Sequence, residues 1–146
     1  AALIAALAAS LAGAQATPEP APGGAALDIT VTGLRSQDGK LLACLTSNAK
    51  AFPGCDKDPK ALHVTVPAAG AAHLRFTGVR PGLYAIAIVH DENSNGKLDM
   101  ALFLPREGVG TSRNPKPRMG PPTFASAAFR VDGADEAMSV EMKYLL

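Results

Sequence analysis

The sequence predicts an all-β domain: an antiparallel sandwich of about seven or eight short strands with one long loop. Three observations carry this expectation. Apolar residues alternate with polar ones at a period of two in one segment after another. Turn residues, among them Asp38-Gly39, Pro81-Gly82 and Asn95-Gly96, separate these segments at short intervals. No stretch carries the apolar period of a packed helix. At 146 residues the chain suits one domain with its own core. A formal net charge of +1 gives no electrostatic case for nucleic acid or an anionic membrane surface.

Residues 1–16 are expected to lie outside the fold. Ala1 to Ala12 are apolar apart from Ser10, and Ala14-Gln15-Ala16 has the small-x-small form of a signal peptidase site. The run is too short for a membrane span. A secreted protein follows, periplasmic or extracellular, with no membrane span in its mature form. Residues 17–25 form a tether rich in Pro and Gly, and residues 26–146 form the sandwich domain. In an oxidising compartment Cys44 and Cys55 pair as a disulfide by default.

The first strand runs over Ala26 to Thr32, with Leu27, Ile29 and Val31 on one face. Asp38-Gly39 is a hairpin signal leading to a second strand, Lys40 to Thr46. That strand is apolar on both faces, as a central strand is. A polar connection follows, in which Phe52 is expected to plug the end of the core. Leu62 to Pro67 and His73 to Thr77 are the third and fourth strands, with His63 and His73 facing solvent. Arg80-Pro81-Gly82 is a tight turn, and Tyr84 beyond it fits a corner tyrosine. The fifth strand, Leu83 to His90, alternates large Tyr84, Ile86 and Ile88 with small Ala85 and Ala87. One face packs deeply and the other permits close approach. Met100 to Leu104 is a short apolar strand. Residues 105–123 lack periodicity and are rich in proline and basic residues. A loop that long in a small domain is either functional or unstructured. Phe124 to Ala128 can make a helical turn, and strands starting at Ala127 and near Met138 complete the set. The pattern is immunoglobulin-like or transthyretin-like.

Chemistry concentrates between His90 and Asp99. Asp91, Asn93 and Asn95 stand at alternate positions before Gly96, the spacing of donors in a calcium loop. Lys97 would contribute only its carbonyl, and Asp99 would ligate directly or through water. The twelfth position is Leu102 where an EF-hand needs a bidentate Glu, and no helices flank the loop. Calcium therefore needs a further donor, for which Glu107 is the candidate. An ordinary polar turn is the competing reading, because Asn and Asp cap local backbone donors. A second candidate site is the basic loop, where Arg113, Lys116 and Arg118 could bind an anion or an acidic glycan. His90, Asp91 and Glu107 could alternatively serve a small metal-dependent hydrolase, and two of Asp91, Asp99 and Glu107 could serve as glycosidase acids, although such a hydrolase usually needs a larger groove than a domain of this size offers. An exposed sheet edge could instead take a partner strand.

The segment F-T-G-V-R-P-G-L-Y-A-I-A-I-V-H-D-E-N-S-N-G-K-L-D, followed by P-R-E-G-V-G and M-G-P-P-T-F-A-S-A-A-F, resembles the bacterial secreted family called domain of unknown function 2141. The resemblance covers residues 27–146 and implies a small exported β-sandwich, with no established activity to carry over. F-x-G-V-x-P-G-x-Y also looks like the transthyretin-like domains appended to carboxypeptidases and outer-membrane transporters, a likeness of architecture alone. The expectation is a non-catalytic exported module with a weak structural calcium site, meeting an envelope protein or glycan through the two loops.

Overall fold

The described residues build two facing sheets from strands that mostly follow the period-two segments. The computed structural model describes residues 24–70, 72–96, 100–101, 104–118 and 120–146. The expected signal segment, most of the tether, and the proposed ligands Lys97 and Asp99 lie outside them. The elements are β1 (Ala25–Thr32), β2 (Lys40–Thr46), β3 (Leu62–Pro67), β4 (His73–Val79), β5 (Gly82–Asp91), β6 (Met100–Ala101), β7 (Leu104–Pro105), β8 (Gly108–Thr111), α1 (Phe124–Ala127), β9 (Phe129–Val131) and β10 (Glu136–Glu141).

One sheet has the order β10-β1-β4, and the other β3-β2-β5-β8, with β9 pairing the first residues of β5. β6 and β7 pair antiparallel as a sheet of their own. The strands are mostly antiparallel, but β1 and β10 run parallel. Strand β2 is central, as its two apolar faces predict. The Asp38-Gly39 turn, however, is not a hairpin: β1 and β2 lie in different sheets. The local dipeptide specifies a reversal, and which sheet receives the next strand is decided by packing. Gly39 meets this crossover's constraint, with φ +69°, and a Cβ there would overlap the Asp91 carbonyl oxygen.

The core lies between the sheets. Leu27, Ile29, Leu74, Phe76 and Val140 from one sheet meet Leu41, Leu45, Ile86, Ile88 and Val131 from the other. Each large side chain contributes roughly 1.5–3 kcal/mol of burial. His63 and His73 are exposed as expected. Leu62, which begins the edge strand β3, is 39% exposed. The outer face of β5 is approached closely, as its small alanines permit. There the Cys44–Cys55 disulfide packs on Ala87 with Phe52 and Ala61. Phe52 thus covers this outer face rather than the end of the core, and its ring meets Phe124 of α1 edge-on at 6.1 Å. A disulfide closing so short a loop stabilises by roughly 3 kcal/mol on the chain-entropy model.

Strand β8 (Gly108–Thr111) lies within the segment read as a long loop without periodicity. Its glycines leave no alternating pattern to read, and both serve close approach. A Cβ on Gly108 would stand 2.4 Å from the Tyr144 ring, and one on Gly110 would stand 2.8 Å from Val140 Cγ1. The chain beyond β10 therefore settles directly against β8, with Val109 and Lys143 exchanging backbone hydrogen bonds of 3.0 and 2.8 Å. This contact joins the two sheets along one side.

Candidate functional site

Asp91 ends β5 fully buried, and its carboxylate closes the loop that follows. Oδ1 accepts the Asn95 N–H at 3.1 Å and Oδ2 the Gly96 N–H at 2.7 Å. Asn93 Oδ1 also accepts the Asn95 N–H, at 3.2 Å. Ser94 (φ +55°) and Gly96 (φ +81°) take the left-handed conformations that the tight curl requires. The Glu107 side chain is 5% exposed and its Oε2 accepts the Glu92 N–H at 2.6 Å, so it does return to this loop. Four of the expected ligands, Asp91, Asn93, Asn95 and Glu107, are thus brought to one segment. Among the described residues no group of three His, Cys, Asp or Glu side chains has a metal-binding arrangement. A carboxylate holds about four lone-pair sites, and these two N–H groups occupy two of those of Asp91.

His90 faces the interior and is fully buried. Its Nε2 lies 2.7 Å from the Asp38 carbonyl, which can only accept, so the proton resides there. In the neutral ring Nδ1 then accepts the Tyr144 hydroxyl at 2.8 Å. Burial pushes the Tyr144 phenol above its usual range, which keeps it a donor. Arg35 stacks over the Tyr144 ring at 4.5 Å, and its guanidinium also donates to Glu92 and to the carbonyls of Arg106 and Leu146. The hydrogen bond from Arg35 holds Glu92 below the usual carboxylate range, with Ser36 assisting and burial opposing. The cluster ties the first crossover, the loop after β5 and the chain end together. His90, Asp91 and Glu107 all carry structural hydrogen bonds, and none of them lines the cavity described next.

The basic loop leaves β8 at Ser112 and returns through α1. Ser112 is fully buried and fills the gap on β5 between the residues paired with β8 and those paired with β9. Its N–H donates to the Ile86 carbonyl and its Oγ accepts the Ile86 N–H, each at 3.0 Å, while Oγ donates to the Ala127 carbonyl at 2.6 Å. Arg113 donates to the Ala128 carbonyl at 3.1 Å, so this expected ligand residue clamps the loop base and stands off the cavity. Arg113 (φ +64°) and Asn114 (φ +45°) are consecutive left-handed residues, a strain of order 1 kcal/mol each for side chains other than Gly. The Asn114 amide offsets it by pairing with the edge of β10: Oδ1 accepts the Glu141 N–H at 2.8 Å and Nδ2 donates to the Ser139 carbonyl at 3.1 Å. Lys143 Nζ donates to the Pro115 carbonyl at 2.7 Å.

Between this loop, β8 and the chain end lies a cavity of about 610 Å³, within the range of small-molecule sites. Two of the expected residues, Lys116 and Arg118, line it, together with Lys143 and Glu141. Ser112, Asn114 and Lys143 were not singled out in the sequence. Asn114 follows Arg113 immediately before Pro115, and Asn before Pro is a turn signal, but its partners on β10 are 25 and 27 residues away.

A family model described as "Uncharacterized protein conserved in bacteria (DUF2141)" matches residues 29–139. Neither the curated proteins nor the solved structures give a match.

Proposed function

The chain belongs to the bacterial DUF2141 family, and from that premise we propose that it is an exported, non-catalytic binding module whose recognition site is the cavity under the 113–126 loop. One observation carries the reading. The loop is clamped at its base by Ser112 and Arg113 and held against β10 by Asn114, so a strained backbone is fixed over a cavity rather than collapsed into it. Backbone strain held in place by its surroundings concentrates at binding sites, and binding residues concentrate on loops that a rigid scaffold positions. Lys116 and Arg118 at the rim favour an anionic group on the ligand, an envelope component in the compartment that the N-terminal segment suggests.

The test is an NMR titration of the labelled protein with a panel of small organic anions. The reading requires saturable shifts at Val109, Thr111, Ala125 and Leu145, abolished by the cavity-filling Ala125→Trp. Shifts confined to other faces overturn it.

Calcium enters this reading as a brace on the 91–99 loop. The Asp91 carboxylate, the Asn93 amide and the nearby Glu107 support it, with affinity in the roughly 10⁻⁴–10⁻³ M range of extracellular modules. Millimolar calcium is expected to raise the melting temperature, and Asp99→Asn to reduce the increment. Asp91→Ala removes the increment too, but it also removes two loop hydrogen bonds, so the Asp99 variant decides. A melt indifferent to calcium and chelator ends the ion claim.

A further inference from the structure

We propose that the ligand is a small amphiphilic anion: an apolar body bearing one carboxylate, as a medium-chain fatty acid does. The inference rests on the cavity being the recognition site and adds the chemistry of its occupant.

The apolar requirement comes from the walls. Val109, Pro115, Pro117, Pro121, Pro122 and Ala125 line the cavity, and Leu145, 51% exposed, stands at its edge. Covering such a surface with an apolar body removes it from water, which is favourable in proportion to the area. No aromatic side chain is among the described lining residues, so no ring face is offered to a sugar or a base.

The neutral polar side chains of the walls are few, and most of their capacity is spent on the fold. The Asn114 amide holds Ser139 and Glu141 through both its atoms. Ser126 Oγ donates to the Thr123 carbonyl at 2.8 Å, and Thr123 Oγ1 accepts the Ser126 N–H at 3.3 Å. A polyhydroxylated ligand would press the hydroxyls that these few groups do not reach against proline rings, at a cost for each. The groups left for a ligand are the Thr111 and Thr123 hydroxyl protons, the second Asn114 N–H and the cationic ends. Lys116 and Arg118 are exposed and form no ion pair among the described residues, and Lys143 has given Pro115 only one of its three N–H groups. Three cations and one carboxylate, Glu141, line the cavity, an excess of positive charge that favours an anionic head group. A neutral hydrocarbon would leave these cations without a partner on the ligand, and a cationic amphiphile would be repelled. The concave form and its volume of about 610 Å³ suit a free small molecule.

Calorimetric titration with sodium decanoate, below its micellar concentration, tests this. Decanol, decyltrimethylammonium and trigalacturonate serve as comparison ligands. Decanoate is expected to bind at one site and to outcompete all three. Its affinity should weaken with added salt, and Lys116→Ala/Arg118→Ala, which removes only exposed side chains, should weaken it roughly tenfold. Equal binding of decyltrimethylammonium or decanol overturns the inference, because the cations then play no part. Tighter binding of trigalacturonate, lost in Ala125→Trp, overturns the amphiphile while leaving the cavity as the site. Co-sedimentation with phosphatidylglycerol vesicles without binding of monomeric decanoate assigns the surface to a membrane and overturns it as well. If no ligand of the panel binds, the inference and the site assignment fall together.

Discussion

Replacing Ser112 with alanine removes one hydroxyl and leaves two backbone groups without a partner. Ile86 and Ala127 are both fully buried, so neither the Ile86 N–H nor the Ala127 carbonyl gains access to water in return. An unsatisfied buried polar group costs roughly 1–3 kcal/mol. The two together, with some relaxation, give an expected loss of about 2–4 kcal/mol. That is a large fraction of the roughly 5–15 kcal/mol that stabilises a domain. Urea denaturation measures it as a lower midpoint at unchanged slope. Ser126→Ala is the control: its hydroxyl also donates to a backbone carbonyl, but on an exposed turn, and should cost under about 1 kcal/mol. Hydrogen exchange supplies the local readout, because the Ile86 amide loses its acceptor and should exchange faster. A loss under about 1 kcal/mol with the Ile86 amide still protected would show that Ser112 is not the clamp.

Two further perturbations read other parts of the same frame. Gly110→Ala puts a methyl group 2.8 Å from Val140 Cγ1 and 2.9 Å from the Glu141 carbonyl oxygen. Such overpacking should cost roughly 1–3 kcal/mol by chemical denaturation, and an unchanged midpoint would contradict the close approach of β10 to β8. Glu92→Gln tests the Arg35 ion pair through pH. The folded state depresses the Glu92 pKa, chiefly through Arg35, so its stabilisation is full above the ordinary carboxylate range. It is lost as pH falls through the depressed value. The wild type should therefore exceed the variant at neutral pH by less than about 1 kcal/mol, since Arg35 is 39% exposed, and the gap should close in acid. A gap that persists at low pH would point to packing instead of charge.

The strands that could be read from the sequence are those with at least one face buried by side chains. Leu27, Ile29 and Val31 announce β1, because period-two alternation is the direct imprint of a half-buried strand, while β2 and β5, covered on both faces, are announced by near-continuous apolar runs. The β8 strand leaves no such imprint. Gly108 and Gly110 stand where side chains would alternate, and their smallness has meaning only beside Tyr144, Val140 and Met142. The partition of strands between sheets is likewise non-local. Asp38-Gly39 specifies a turn whether or not the strands it joins are paired.

The candidate sites divide in the same way. Asp91 as the anchor of a tight loop was legible, since its oxygens satisfy backbone donors four and five residues later. Lys116 and Arg118 were legible as charge in an unusually long loop. Arg113 has the same composition signal but a different task, decided by the position of Ala128. Ser112 and Asn114 carried little signal of their own, because their partners lie on distant segments of the chain. Arg35 sits in an ordinary-looking turn, and only the folded chain brings Glu92, Arg106, Tyr144 and Leu146 around it.

The most direct test of the account is the NMR titration of the intact domain with sodium decanoate. Recognition under the 113–126 loop predicts saturable shifts of the Val109, Thr111, Ala125 and Leu145 amides, with the Ala43 and Ile29 amides of the core unmoved. Absence of those shifts, or shifts confined to residues 91–96, would contradict it.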